Sequence, residues 1–484
     1  MQKIKSIKFN FLMNLILTGS NFLFPLLTFP YVSRVLEPEG TGKVAFATSF
    51  ITYFIMLASF GVTSYGVRAI AQVRDNKDEL SKVTQEILFI NLIMMSAAYV
   101  IFFVSLAFFD KLGQEKELLN ITSLLIVFTI LGVEWFYKGI EQYQYITIRT
   151  ILFRLLALVA TFVFVNSKSD YIVFALISMI AVVGSGILNM INARKYIHFK
   201  RYSEYEFRKH LKPMFLLFLT SFAIAVYTNT DATMLGFLKT DADVGYYNAA
   251  VRVKAILLSV VTSLGIVLLP RLSYYIQHNM MNEFNLALNK SVNFIVLMAL
   301  PVATFFALFA KETILILAGN AYMEAVLPLQ IIMFTIIFIG ITNILGIQIL
   351  LPLKRDSALL VSVLGGAIIN IGLNLFFIPK LGATGAAIST TLAELVVLIL
   401  QCVFVKEYLK VLFLNIQYFK IIGAILVSVI IAKMAVGFVG GSIFLVLILA
   451  AMIFFGTYLI LLMLLKEKFL SENVLVILKK KLGY

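Results

Sequence analysis

Fourteen stretches of this chain each supply the ~20 consecutive, mostly apolar residues that a helix needs to cross the hydrocarbon core of a bilayer. They run over residues 9–33, 43–67, 84–108, 118–137, 147–165, 171–192, 212–238, 245–270, 290–310, 325–350, 357–378, 382–404, 418–436 and 442–465. A bilayer has no water to satisfy open backbone groups, so spanning segments are helices or strands of a closed barrel. These stretches far exceed the length of a barrel strand and lack its alternation, so they predict helices. Hydrophobic residues make up 61% of the chain and charged residues 13%, about half the charged share of a soluble domain. The expectation is an all-α integral membrane protein.

Position interprets the net charge of +15. Gathered on one face, it would suit nucleic acid, but Lys and Arg fall in alternate connections. With a cytoplasmic N-terminus, 29 basic residues lie inside and 8 outside, and Arg252, Lys254 and Lys433 lie within spans. That asymmetry predicts both termini in the cytoplasm and no nucleic-acid partner. Lys3, Lys5 and Lys8 precede a full-length apolar stretch without a small-residue cleavage site, which reads as a retained first helix. Cys402 sits in an apolar stretch, and His198, His210 and His278 are placed in connections, so neither a disulfide framework nor a metal site is expected. Gly40-Thr41-Gly42-Lys43 lacks the earlier glycine of a phosphate-binding loop. No connection between spans has room for a catalytic domain, so no catalytic residues are assigned.

A repeat underlies the spans. Leu36, Gly42, Gly61 and Arg68 match Leu238, Gly245, Gly265 and Arg271 at offsets of 202 to 204. Phe128-Thr129 and Gly139-Ile140-Glu141 match Phe334-Thr335 and Gly346-Ile347-Gln348 at 206 and 207. The expected organisation is an N-lobe of six spans over 1–193, a basic cytoplasmic linker over 194–211 and a C-lobe of six spans over 212–410. Two further spans and a basic tail occupy 411–484. The lobes share one orientation, with substrate expected between them. The linker's basic residues, with Tyr196, Phe199, Tyr202 and Phe207, read as an interfacial helix on the anionic inner leaflet. The tail carries Leu470, Val474, Ile477 and Leu478 at near-helical spacing before Lys479-Lys480-Lys481.

Charges inside spans mark candidate function, because each costs a few kcal/mol at membrane depth. Stretches 212–238 and 245–271 are joined by Lys239-Thr240-Asp241-Ala242-Asp243. Asp231 shares a face with Thr220 and Tyr227, and Arg252 with Asn248, Ser259 and Thr262. Arg252 has Ser49 as its repeat counterpart, so the charge belongs to one lobe. It is read as an anion ligand, or as the partner of Asp231. Lys254 lies about 160° round the helix from Arg252. Helix 1 carries Asn14, Thr18, Asn21, Pro25 and Thr28 as one stripe, read as a cavity lining against ordinary helix packing. Asp231 and Glu394, the latter with Thr391 on its face, are candidates for ion coupling or static ion pairs. Arg68 and Arg271 are candidates for a cytoplasmic gate or leaflet anchors, and Arg149 and Arg154 read as anchors near the inner face. Asn370 with Asn374, and Thr335 with Thr342, suit interhelical hydrogen bonds. Trp135 and Tyr137 suit an aromatic belt.

Three segments carry a family resemblance: Phe29-Pro30-Tyr31-Val32-Ser33-Arg34-Val35-Leu36 before Gly40-Thr41-Gly42, Glu134-Trp135-Phe136-Tyr137-Lys138-Gly139-Ile140-Glu141, and Asn370 through Gly385 with Pro379 and Gly382. Over roughly residues 5–410 the chain resembles the Wzx-type repeat-unit flippases, the polysaccharide-transporter branch of the multidrug/oligosaccharidyl-lipid/polysaccharide exporter superfamily. The resemblance implies a MATE-like, two-lobed protein of the bacterial cytoplasmic membrane. Its partners would be undecaprenyl-diphosphate-linked oligosaccharide, membrane lipids and other polysaccharide assembly proteins. Such proteins move repeat units of O-antigen, capsule or a similar polymer by alternating access, without ATP. No cofactor is implied, and a proton or sodium gradient or the membrane potential would drive the cycle. The alternatives are a peptidoglycan-precursor flippase and a drug/cation antiporter of the same superfamily. The first resembles its relatives in carrying arginines within helix 1, whereas no charge stands here between Lys8 and Arg34. The second would want a cavity dominated by carboxylates.

Overall fold

The structure, a computed structural model, describes residues 5–413, 416–438 and 441–471. The chain forms two compact units that divide after Gly245. The first holds α1 (Ile7–Ser59), α2 (Val62–Val73), α3 (Lys77–Phe108), α4 (Asp110–Gln114), α5 (Lys116–Leu131), α6 (Glu134–Gly139), α7 (Tyr143–Phe164), α8 (Tyr171–Ala193), α9 (Phe207–Leu238) and the first turn of α10 (Asp241–Gln277). The second holds the rest of α10, then α11 (Met281–Leu308), α12 (Ala310–Leu317), α13 (Val326–Ile332), α14 (Phe334–Thr342), α15 (Asp356–Leu381), α16 (Ala383–Phe404), α17 (Lys406–Phe413), α18 (Tyr418–Phe438) and α19 (Ile443–Leu464).

Among the described residues, twelve helices are long and apolar enough to cross a membrane. The pair Asn320–Ile332 and Phe334–Leu350, bent by 41°, makes thirteen if counted as one span. The first of these, Lys8–Val73, contains two of the fourteen expected stretches. The all-helical reading therefore holds, but the polar connection at 34–42 is itself helical. Only Glu37, at φ 55° and ψ −177°, interrupts α1. Pro38 explains the position of the break: its ring excludes the preceding residue from the helical region and it has no N–H to donate.

The helix beyond Glu37 packs on α9, and small residues permit the approach. A Cβ on Gly42 would overlap the carbonyl of Asp241, and one on Gly245 would overlap that of Pro38. Only glycine allows such backbone proximity. Gly42 and Gly245 are counterparts in the sequence repeat, so equivalent points of the two copies meet here. Below them, Phe46 fills the notch left by Gly236, and the Thr233 hydroxyl lies 3.3 Å from that of Tyr53.

Ion pairs sort the connections of the first unit into two sets. Lys168 meets Glu37 at 2.7 Å, Lys43 meets Glu115 at 2.9 Å and Lys111 meets Asp241 at 2.8 Å. Each joins two connections expected outside. Lys200 meets Asp78 at 2.6 Å, Lys82 meets Glu206 at 3.2 Å and Arg74 meets Glu141. Each of these joins connections expected inside.

The linker departs from expectation. Residues 197–206 form no helix, and only 207–211 are helical, as the first turn of α9. The chain is strapped to polar residues on α3 instead. Gln85 donates to the carbonyls of His198 (2.8 Å) and Lys200 (3.2 Å) and accepts from the Tyr205 hydroxyl at 2.9 Å. The His198 N–H donates to Ser81 at 2.9 Å, and that of Glu206 to Glu86 at 2.6 Å. These bonds satisfy backbone groups that a helix would otherwise pair. His210 is likewise not in a connection but buried in α9, between the Tyr65 hydroxyl at 2.6 Å and Glu86 at 2.8 Å.

Trp135 and Tyr137 form no aromatic belt; they are buried in the first unit's core with Phe136, Ile70 and Ile87. The Tyr137 hydroxyl donates to the Asn189 carbonyl at 2.7 Å. In the second unit, α15 and α16 form a hairpin through Gly382, at φ 54°. A Cβ on Gly385 would overlap the carbonyl of Phe377. Asn374 donates to Asn370 within α15 at 3.1 Å, and Thr335 and Thr342 donate to carbonyls three residues back. Tyr458 anchors α19 to α11 by donating to the Leu297 carbonyl at 3.1 Å. Of the basic tail, Leu470 is described, while Val474, Ile477, Leu478 and the three lysines lie outside the described residues.

Candidate functional site

The first unit encloses a cavity of about 350 Å³ among α5, α6, α7, α8 and the junction of α1 with α2. A break in the backbone shapes its wall. Helix α5 stops at Leu131, and Val133 adopts φ 39°, ψ 38°, a conformation costly for a β-branched residue. Strain of this kind persists only where the surroundings fix it, and it concentrates at functional sites. The turn brings Glu134 and Lys138 of α6 to the cavity, paired at 2.8 Å.

Two arginines of α7 complete the lining. Asn189 fixes the first: its amide donates to the Gly132 carbonyl at 2.5 Å, which turns its oxygen toward Arg149. Arg149 is buried and donates to that oxygen and to Thr150 at 3.1 Å. Its guanidinium also lies 5.6 Å from the ring centre of Tyr145. Its Nε and the nearby hydroxyl of Ser185 are buried without a hydrogen-bond partner. Arg154 donates to Ser20 and Asn21 of α1. Among the described residues, neither arginine lies within ion-pair distance of a carboxylate. Three cations therefore face one carboxylate, in a segment apolar enough to lie within a membrane. An uncompensated buried charge is expensive unless hydrogen-bonded or paired. An anionic ligand with several oxygens would supply the missing acceptors, and guanidinium forks match phosphate in that role.

Arg149 and Arg154 are therefore not headgroup anchors. Their sequence context hides this, because the residues of α1 that Arg154 meets lie 133 and 134 positions away in the chain. Asn21 of that stripe meets Arg154, and Asn14, Thr18 and Pro25 are exposed on α1. Arg154 thus brings to helix 1 a cation that its own sequence lacks.

The remaining candidates divide between the units. Asp231 is buried on α9 within electrostatic reach of the Tyr53 phenol, beside Thr230 and Thr233. Arg252 belongs to the second unit, within reach of the Tyr322 phenol. Asn248, Lys254 and Ser259 are half-buried on the same helix, with Ser259 donating to the Ile256 carbonyl at 2.7 Å. Tyr247 and Thr390 share a hydrogen bond of 2.9 Å between α10 and α16, and buried Glu394 stands one turn further along α16. Thr391 donates to carbonyls of Ala387 and Ile331. Arg68 is exposed with its guanidinium 5.7 Å from the Tyr65 ring centre, and Arg271 is exposed beside Glu283 and Lys290.

A polytopic helical bundle of this kind, with broken helices and a polar cavity, has the fold of the multidrug/oligosaccharidyl-lipid/polysaccharide transporter superfamily. A lipid II flippase MurJ in an inward closed conformation superposes with a TM-score of 0.66 at 18% identity, over 91% of this chain and 97% of that one. An inward-facing multidrug resistance MATE transporter gives 0.64 at 16% identity, over 81% and 94%. Within that fold, residues 7–276 match the family described as polysaccharide biosynthesis protein, and the chain belongs to this family. A protein of Escherichia coli K12 provisionally named an O-antigen transporter is 27% identical over 83% of this chain and 97% of its own length. One of Shigella dysenteriae with the same name is 23% identical over 82% of this chain and all of its own.

Proposed function

We propose that this protein is a flippase for polyprenyl-diphosphate-linked oligosaccharide repeat units in a bacterial cytoplasmic membrane. The observation that carries the reading is the cavity of the first unit, where, among the described residues, Arg149 and Arg154 lack carboxylate partners and Arg149 Nε and Ser185 Oγ lack any hydrogen-bond partner. A diphosphate offers oxygens to such donors, and sugar hydroxyls suit the polar stripe Asn14, Thr18 and Asn21. Family membership supplies the context of polysaccharide assembly. Within the second unit Arg252 is a further candidate cation for substrate, and Asp231 and Glu394 are the candidate carboxylates for coupling to a proton or sodium gradient. Substrate enters from the cytoplasmic side, and Arg68 and Arg271 are the candidate gate residues of the first and the second unit.

The test is a deletion strain of the source organism. Surface polysaccharide is measured together with lipid-linked oligosaccharide on the cytoplasmic side. The expected result is lost surface polymer with accumulated complete, unpolymerised repeat units. An unchanged surface with altered drug sensitivity would overturn the reading in favour of an antiporter. Growth arrest with accumulated peptidoglycan precursor would overturn it in favour of a precursor flippase.

A further inference from the structure

A second cavity of the first unit, about 460 Å³, lies under the strap that joins α8 to α9. Its walls are Leu88, Phe89 and Leu92 of α3, Leu131 of α5 and Met190 of α8, and its rim is Phe199, Lys200, Arg201 and Tyr205. The walls come from spans and are apolar, while the rim comes from the polar strap. A ligand that fills the cavity is therefore amphipathic, with a hydrocarbon part along α3 and a polar head at Lys200 and Arg201. The rim's charge selects the head. Lys200 is already paired with Asp78 at 2.6 Å. Arg201 is exposed and, among the described residues, has no carboxylate within ion-pair distance. The rim thus carries one unmatched positive charge.

We infer that this groove binds one acidic phospholipid, with an acyl chain along Leu88, Leu92 and Met190 and its phosphate at Arg201. A phosphodiester whose headgroup bears no amine brings one negative charge and matches the rim. A phosphatidylethanolamine head would bring its ammonium to a cationic rim, and a polyprenyl diphosphate would bring more negative charge than one arginine offsets. Gln85 holds the strap to α3 through the carbonyls on either side of Phe199, so the rim is built into the fold and does not depend on the lipid. The site is separate from the arginine cavity, and the inference does not rest on the proposed transport.

The test uses the full-length protein in nanodiscs of equal parts phosphatidylglycerol and phosphatidylethanolamine, followed by stepwise delipidation and native mass spectrometry. Wild type is expected to retain about one phosphatidylglycerol after phosphatidylethanolamine is lost. Arg201→Gln is expected to weaken retention about fivefold, the scale of one basic residue at an anionic surface. Arg201→Lys should keep most of it. Arg201 is exposed, so these variants leave the core intact; Leu92→Trp, which fills the groove, should abolish retention independently of charge. Equal retention of both lipids by wild type would overturn the inference, as would unchanged retention in Arg201→Gln. Displacement of the bound phosphatidylglycerol by equimolar undecaprenyl phosphate would overturn it by assigning the groove to a polyprenyl chain.

Discussion

Arg149 and Arg154 show how much a single residue's meaning depends on what surrounds it. Both stand near the end of an apolar stretch where positive residues commonly mark the cytoplasmic face. In the folded unit their donors are directed to Asn189, Thr150, Ser20 and Asn21, all neutral acceptors. Removing Arg149 orphans the Asn189 oxygen, a cost of about 1–3 kcal/mol. It also removes a buried charge whose own burial is unfavourable by several kcal/mol. The two largely cancel, so Arg149→Ala is expected to fold and to insert normally. Its transport should fall at least tenfold, because the fork toward the cavity is gone. Arg149→Lys should recover little, since an ammonium cannot reproduce the planar geometry that Asn189 and Thr150 hold. Complementation of the deletion strain, read as surface polymer per unit of protein, checks both. Wild-type polymer in Arg149→Ala would remove the cavity from the transport route.

At the scale of elements, the strap between α8 and α9 is where chain pattern and structure disagree most. Seven basic residues and four aromatics near helical spacing suit a helix on a membrane surface. Ser81, Gln85 and Glu86, however, lie on one face of α3 and present hydrogen-bonding groups to the passing backbone. A long-range partner of this type leaves no trace in local periodicity, and the same holds for His210 beside Glu86. The break at Val133 was also illegible, because nothing in a β-branched residue signals a left-handed backbone. By contrast the break at Glu37 is marked by Pro38. Gln85→Ala removes three hydrogen bonds, worth together about 2 kcal/mol after water competes for the same groups. Amide exchange over 197–206 should then accelerate about thirtyfold, with α3 itself unchanged; equal exchange would show that other contacts hold the strap. Acid should loosen it too. Hydrogen bonds from Lys209 and then Lys82 hold the Glu206 carboxyl below its ordinary value. A depressed pKa gives stability that is full above the unfolded value and lost as pH falls through the folded one. The contribution should therefore fade below about pH 4.5, be small because the group is exposed, and be absent from Glu206→Gln.

For the whole molecule, the all-helical class is legible because bilayer thickness and helix rise leave few alternatives. The fourteen expected stretches, however, become twelve candidate helices among the described residues, or thirteen with the bent pair, since two of the stretches share the helix Lys8–Val73. The repeat has a physical consequence in the meeting of Gly42 and Gly245, which identity of letters alone does not locate. The expected sidedness of the connections rests on charge. Taking the bound Arg149 and Arg154 out of the inner count leaves 27 basic residues against 8, so the asymmetry does not depend on them. The ion pairs of the first unit respect it, since Lys168–Glu37 and Lys111–Asp241 join one set of connections and Lys200–Asp78 and Lys82–Glu206 the other. What the pairs leave open is which set faces the cytoplasm, and the positive-inside bias chooses the second. Labelling from one side decides it. With Cys402 replaced by serine, Lys116→Cys and Lys195→Cys each place a thiol at an exposed lysine, one in each set. A membrane-impermeant maleimide should modify Lys116→Cys in intact spheroplasts and Lys195→Cys only after the membrane is opened. The opposite pattern would invert the molecule, put the Gly42–Gly245 contact at the cytoplasmic face and reverse the proposed direction of entry. Labelling of both in intact spheroplasts would break the alternation itself and with it the odd number of spans expected between the two labelled positions.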